Sequence, residues 1–147
     1  GAMTDSHDPD LDHAITDPIP DALAAGVHRL RSKEPTSEVA ELMTRVGWAV
    51  RVVDLADAPD KAAIMAAFMA ALDLPAWFGR NWDALADALK DLGWWPAGRR
   101  GRLIVMRGAG RQDTGSERDR AILLEVLHAA TDSWAATSTP LVVLLRR

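Results

Sequence analysis

The stretch Leu74–Leu92, LPAWFGRNWDALADALKDL, restricts the possible folds of this chain more than any other. Pro75 favours an extended backbone at Leu74, because the residue before a proline is disfavoured in the α region. Asn81 is a good helix N-cap, since its side chain can accept a hydrogen bond from a free backbone N–H of the first turn. The apolar residues that follow recur at spacings of three and four: Trp82, Leu85, Ala86, Leu89 and Leu92. The stretch therefore predicts an aromatic loop followed by an amphipathic helix.

Three aspartates lie on another face of this predicted helix, at Asp83, Asp87 and Asp91. Like charges at this spacing destabilise an isolated helix by roughly 0.2–0.5 kcal/mol per pair. Only Asp83 is close enough to the positive helix N-terminus to recover part of that energy. One interpretation is a solvated face that keeps the protein soluble. The other is a negative ridge beside an aromatic loop, which would bind a basic partner.

The residue order of this stretch resembles the central loop and second helix of the barstar family, small intracellular inhibitors of secreted microbial ribonucleases. The shared pattern is Leu-Pro-x-aromatic-aromatic-Gly-x-Asn-x-Asp-Ala-Leu-x-Asp, which runs from Leu74 to Asp87. A looser resemblance extends over roughly Trp48 to Leu145. The resemblance implies a protein-binding function and no catalysis, and it requires neither a cofactor nor a metal.

Strand and helix patterns alternate along the chain, which predicts an α/β fold with a parallel sheet. The predicted strands are Trp48–Leu55, Arg102–Met106 and Leu141–Leu145. The last is a continuous apolar run, typical of a strand buried on both faces. The barstar resemblance implies the same small three-stranded parallel sheet flanked by helices. Gly26–Arg31 could add an N-terminal edge strand.

Further helix starts are predicted from residues that can cap a first turn. The candidates are Thr36 or Ser37, Asp57 or Asp60, and Ser116 with Asp119 three residues later in a capping-box position.

The chain of 147 residues is expected to form one barstar-like domain over residues 21–147. Residues 1–20 are expected to be a tail. Gly1 and Ala2 are typical of the remnant of an expression tag, and the rest, rich in Asp and Pro, predicts disorder. The absence of cysteine excludes disulfides and agrees with a cytoplasmic protein. Neither a signal peptide nor a membrane-spanning run is predicted.

The resemblance also assigns the residues that would bind the partner, a secreted microbial ribonuclease of the guanyl-specific class with a basic active site. Asp87 is the carboxylate expected in that active site, with Asp83 as a neighbouring acidic contact. Trp77 is expected to pack on the enzyme. The rest of the predicted partner-binding segment is Phe78, Gly79, Arg80 and Asn81, of which Phe78 and Gly79 are expected mainly to shape the loop. The free inhibitor is expected to be a monomer.

Two positions depart from what the family can carry. Ala86 precedes the key aspartate, where the best-known member has a tryptophan, and Ala129 stands where the last helix can supply an acidic contact. The partner is therefore either a different ribonuclease or another basic protein.

A nucleotide-binding enzyme is an alternative hypothesis. The loop Gly108–Gly115 follows a predicted strand and precedes a predicted helix, and phosphates bind at such helix N-termini. Because neither GxGxxG nor GxxxxGK[ST] is present, a plain surface loop explains the segment better.

Direct nucleic-acid binding and metal binding are also considered and not favoured. The basic candidates are Arg99, Arg100, Arg102, Arg107 and Arg111, close to Trp94 and Trp95. A net charge of −4 and a pI of about 5.5 oppose that function. The metal candidates are His7, Asp8, Asp10, Asp12 and His13, which a flexible tail would not preorganise.

Overall fold

A computed structural model gives the structure of the chain and describes residues 14–75, 77–109 and 116–147. Its strands form one sheet in which every neighbouring pair is parallel. The strands are β1 (Ile15–Thr16), β2 (Gly26–Arg31), β3 (Trp48–Asp54), β4 (Gly101–Arg107) and β5 (Leu141–Arg146), in the spatial order β1-β2-β5-β4-β3. The helices of the described residues are α1 (Thr36–Arg45), α2 (Lys61–Leu72), α3 (Trp82–Asp91) and α4 (Glu117–Ala135). The predicted α/β class is confirmed.

Both faces of the sheet are covered, which gives the molecule two cores. Alternate residues of a strand point to opposite faces, so Ile104 and Met106 of β4 enter one core and Leu103 and Val105 enter the other. The main core lies between the sheet and α2, α3 and α4, and the second core lies under α1. This double burial explains why the central strands are continuous apolar runs.

The sheet has two more strands than the three-stranded core that we predicted. Gly26–Arg31 is a strand with the predicted bounds, but it pairs with β5 on one side and with β1 on the other. Ile15 and Thr16, which we assigned to the tail, form β1, so that assignment is wrong for these residues. Isoleucine and threonine favour strands, but two residues are too few for a recognisable pattern. Residues 1–13 lie outside the described part.

Contacts beyond β1 hold this first segment against the following turn. The Asp17 carboxylate accepts hydrogen bonds from Ser32 Oγ at 2.6 Å and from the backbone N–H of Lys33 at 2.8 Å. The Ser32 hydrogen bond, followed by that of Lys33, holds the pKa of Asp17 below its ordinary value. Ile19 packs against the second core. The ordered chain therefore begins before the predicted domain boundary at residue 21.

The helix caps were predicted correctly except for α1. Neither Thr36 nor Ser37 caps α1, because Pro35 is the N-cap and supplies no side-chain hydrogen bond. Asp60 caps α2, and Ser116 with Asp119 forms the capping box of α4. Within the described residues, no helix is both long enough and apolar enough to cross a membrane.

Candidate functional site

The loop between α2 and α3 exposes one tryptophan between two buried side chains. Leu74 and Phe78 are 8% and 5% exposed and belong to the main core, whereas Trp77 is 76% exposed. The backbone N–H of Phe78 donates to the carbonyl of Pro75 at 2.9 Å and closes a turn. Leu74 and Phe78 thus fix the loop to the core and hold Trp77 outside it. The Phe78 side chain can act on a partner only by shaping this loop.

The chain then turns sharply into α3. Arg80 is exposed and has a positive φ of 55°, in the left-handed region. Asn81 Oδ1 accepts from the backbone N–H of Ala84 at 2.8 Å, which confirms Asn81 as the N-cap, and its Nδ2 donates to the Gly79 carbonyl at 3.4 Å. The Asn81 side chain is therefore already engaged, and its function in the structure is to fix the start of α3.

The two faces of α3 separate as predicted. Leu85, Ala88 and Leu89 are buried in the main core, and Trp82 packs partly against it. Asp83, Asp87 and Asp91 are exposed. In the described part of the chain, no basic nitrogen lies within 4.0 Å of these three carboxylates. We call these three aspartates the acidic face, and within the described residues no ion pair withholds their carboxylates from a partner.

Buried side-chain donors hold the far end of α3. Arg102 is 8% exposed, and its Nε and Nη2 donate to the carbonyls of Trp95 at 2.6 Å and Leu92 at 3.3 Å. Its guanidinium lies 4.8 Å from the ring centroid of Trp134, whose Nε1 donates to the Leu89 carbonyl at 2.8 Å. Burial lowers the pKa of Arg102. The bond from Trp134 satisfies a last-turn carbonyl that a helix end leaves unpaired, and the two bonds from Arg102 hold the segment that follows the helix.

The end of α2 is held in the same way. Arg51 Nη1 donates to the Ala71 carbonyl at 3.2 Å and to Asp73 Oδ2 at 3.0 Å. Trp94 Nε1 donates to the Leu72 carbonyl at 2.8 Å. We refer to Arg51, Trp94, Arg102 and Trp134 together as the carbonyl brace. It anchors both helices that flank the exposed loop.

Sequence reasoning missed the carbonyl brace, although a signal was present. On β3, Arg51 lies two residues from Ala49 and from Val53, and on β4, Arg102 lies two residues from Ile104. Because residues two apart in a strand point to the same face, both arginines lie on the side of the main core. An arginine at an inward position needs acceptors there. The sequence does not reveal which carbonyls supply them.

Arg111 lies outside the described residues, and the other arginines considered for nucleic-acid binding do not form one free surface. Arg102 is buried, Arg100 Nε donates to the Val46 carbonyl at 2.7 Å, and Arg107 pairs with Asp54 at 2.9 Å. Trp95 is buried and Trp94 is partly buried, as the core interpretation predicts.

The metal-binding hypothesis gains no support from the described residues, and the glycine-containing loop proposed for phosphates lies mostly outside them. No group of three or more described His, Asp or Glu residues could hold a metal ion. The metal candidates His7 to His13 lie outside the described residues, and so do residues 110–115 of the glycine-containing loop.

The side chains are small at both positions that depart from the family pattern. Ala86 packs partly against the main core, and Ala129 is exposed on α4. Neither methyl group can replace a tryptophan or a carboxylate at a protein interface.

A protein-family model described as "Barstar (barnase inhibitor)" matches residues 48–146, which is more than half of the chain. The match begins at the start of β3 and ends with β5, so it includes the exposed loop, the acidic face and the carbonyl brace. β1, β2 and α1 precede it. A search of curated proteins finds no match.

Proposed function

The chain belongs to the barstar family, and from this premise we propose that it inhibits a secreted microbial ribonuclease of the guanyl-specific class. The observation that carries the proposal is the acidic face, three exposed carboxylates that form no ion pair with any described residue, on a helix that follows the exposed Trp77. An unpaired acidic ridge beside a large exposed aromatic is typical of a surface that binds a basic protein.

The chemistry of inhibition follows from what a ribonuclease must bind. Its active site holds an anionic phosphodiester through cationic and N–H donors. The Asp87 carboxylate, in the middle of α3, would accept charge-assisted hydrogen bonds from those donors in place of a phosphate. Asp83, one turn earlier, would meet the neighbouring cations. The inhibitor therefore needs no catalytic residue of its own.

The rigidity of the loop and helix should strengthen this binding. Leu74 and Phe78 fix one end of the segment in the core, and the carbonyl brace fixes the other. Because the carboxylates and Trp77 are already positioned, little conformational entropy is lost on association.

Trp77→Ala is expected to weaken the complex by about 1–2 kcal/mol, because a large aromatic at an interface buries much area in one side chain. Stability should change by less than about 0.5 kcal/mol, since Trp77 is 76% exposed. Calorimetric titration measures the affinity and urea unfolding the stability. Leu42→Ala, at a 37% exposed leucine on α1, is the control and should leave the affinity unchanged. An unchanged affinity in Trp77→Ala would exclude this residue from the interface.

The association rate constant with the ribonuclease is expected to fall steeply as salt is added, while the dissociation rate constant changes less. Complementary electrostatic fields act mainly on the rate at which the two proteins encounter each other. Stopped-flow mixing with purified secreted guanyl-specific ribonucleases, at low and moderate salt, tests this. If no complex forms at low salt with any of them, while the chain is shown to be folded, the proposed target class is wrong.

The small side chains at Ala86 and Ala129 favour a second candidate partner, another basic protein that meets the same acidic face. Capture with the wild type and with Asp87→Ala in parallel identifies a partner of the acidic face, which the wild type alone should retain. An RNA-cleavage assay of the captured protein then distinguishes a ribonuclease from another basic protein.

A further inference from the structure

A cavity of about 760 Å³ lies at the carboxyl ends of β2, β4 and β5, beside α4. Five arginines line it: Arg29, Arg31, Arg120, Arg146 and Arg147. Its apolar wall comes from the end of β4, the end of β5 and α4, and includes Met106, Leu123, Leu127 and Leu145. None of the residues from Trp77 to Asp91 lines it, so this cavity is separate from the acidic face.

The described lining residues include five arginines and neither an aspartate nor a glutamate. Arg29, Arg31, Arg146 and Arg147 have no carboxylate within 4.0 Å among the residues that the structure describes. Such a cluster attracts anions, and guanidinium groups match phosphate oxygens with two parallel hydrogen bonds.

Arg146 adds a half-buried guanidinium to this cluster. Its Nη2 donates to the Ser32 carbonyl at 3.3 Å, whereas its buried Nη1 has no hydrogen-bond partner among the described residues. The acidic neighbour Asp17 does not line the cavity, and its carboxylate oxygens accept from Ser32 Oγ and Lys33 N. Arg146 Nη1 is therefore an unsatisfied buried donor beside the cavity, while the nearby Asp17 carboxylate offsets part of the Arg146 charge.

The topology of the sheet places the cavity where parallel α/β sheets can bind ligands. The connection after β2 leads to α1 on one face, and the connection after β4 leads to α4 on the opposite face. β5 lies between β2 and β4. Where connections from strands close together in a sheet leave on opposite faces, a crevice can open at the carboxyl ends of the strands.

We propose that this cavity binds a nucleoside di- or triphosphate, with the phosphate chain on the arginines and the base against the apolar wall. A ligand with several negative charges matches the cluster of Arg29, Arg31, Arg146 and Arg147 better than a single carboxylate does. The volume lies within the usual range of about 300–1,000 Å³ for small-molecule sites. The proposal is one of binding only, and it does not depend on the ribonuclease-inhibitor proposal.

Calorimetric titration at low salt tests the site with four probes: ADP, ATP, adenosine and inorganic tripolyphosphate. ADP and ATP are expected to bind with one-to-one stoichiometry. Adenosine should not bind detectably because it lacks phosphate, and tripolyphosphate should bind more weakly than ATP because it lacks the base. No binding of either nucleotide would overturn the proposal. Tripolyphosphate that binds as tightly as ATP would overturn the assignment of a nucleotide.

Arginine variants locate the site. Arg29→Ala and Arg31→Ala are each expected to weaken ADP binding about tenfold, since each removes a charged hydrogen-bond donor. Both side chains are exposed, so the variants should keep the melting temperature of the wild type. Arg99→Ala makes the same change at an exposed arginine that does not line the cavity, and it should bind ADP normally. An equal loss of ADP affinity in Arg99→Ala would indicate nonspecific electrostatic attraction of the nucleotide and would overturn the proposed site.

Discussion

Asp87→Ala is expected to weaken the complex with the target ribonuclease by about 2–5 kcal/mol while leaving the fold unchanged. The effect should be large because a carboxylate in the middle of α3 would be desolvated against several donors of the enzyme. Those donors stay buried and unpaired when the carboxylate is removed. The stability of the free chain should not fall, because Asp87 is exposed and forms no ion pair with the described residues. The dissociation constant from calorimetry measures the first effect, and urea unfolding measures the second.

Asp91→Ala is the matched control for this experiment. It removes the same group from the same face one turn further along α3, and its effect on affinity should be smaller. If Asp91→Ala costs as much as Asp87→Ala, the acidic face acts through its summed charge, and Asp87 has no central position. If neither change alters the affinity, the acidic face is not the binding surface.

Arg102→Met is expected to lower the free energy of unfolding by about 2–4 kcal/mol. The methionine keeps part of the side-chain volume but leaves the Trp95 carbonyl without its side-chain donor, and an unsatisfied buried polar group costs about 1–3 kcal/mol. The Leu92 carbonyl loses one of two donors and keeps the backbone N–H of Trp95 at 3.0 Å. The contact between the guanidinium and the Trp134 ring is lost as well. Urea unfolding followed by tryptophan fluorescence measures the change.

Two further variants separate the hydrogen bonds of Arg102 from its charge. Arg99→Met makes the same substitution at an exposed arginine and should change stability by less than about 0.5 kcal/mol. Arg102→Lys keeps the charge but lacks the planar fork that reaches two carbonyls, so it should recover only part of the loss. A wild-type unfolding curve for Arg102→Met would show that the carbonyl brace does not stabilise α3.

Much of the fold could be predicted because its signals are local. The apolar runs of β4 and β5 require burial on both faces, and the stripe Leu85 and Leu89 defines the inner side of α3. The side-chain oxygens of Asn81 and Asp60 each cap a helix by accepting from the backbone N–H three residues later in the chain. In each case the pattern and the contact lie within one element.

The remaining features depend on contacts between distant parts of the chain. β1 is a two-residue strand whose position is set by its pairing with Leu30 and Arg31, and no pattern of its own marks it. Arg102 looked like one member of a basic cluster because composition alone does not show that Trp95, Leu92 and Trp134 surround it.

Some features of the candidate site could likewise be predicted from the sequence, and one could not. The sequence predicts that Asp83 and Asp87 share an exposed face and that Asn81 begins the helix, and the structure has both features. It does not show that Phe78 is buried while Trp77 is exposed, because two adjacent aromatics give no indication of which one enters the core. That difference decides which aromatic a partner can touch.

The most direct test of the central claim is a titration of RNA cleavage by secreted guanyl-specific ribonucleases with increasing amounts of this protein, with Asp87→Ala in parallel. The account predicts that cleavage by the target enzyme falls to zero at one inhibitor per enzyme, and that Asp87→Ala inhibits only at much higher concentration. Full cleavage by every such enzyme in the presence of excess folded protein would contradict it.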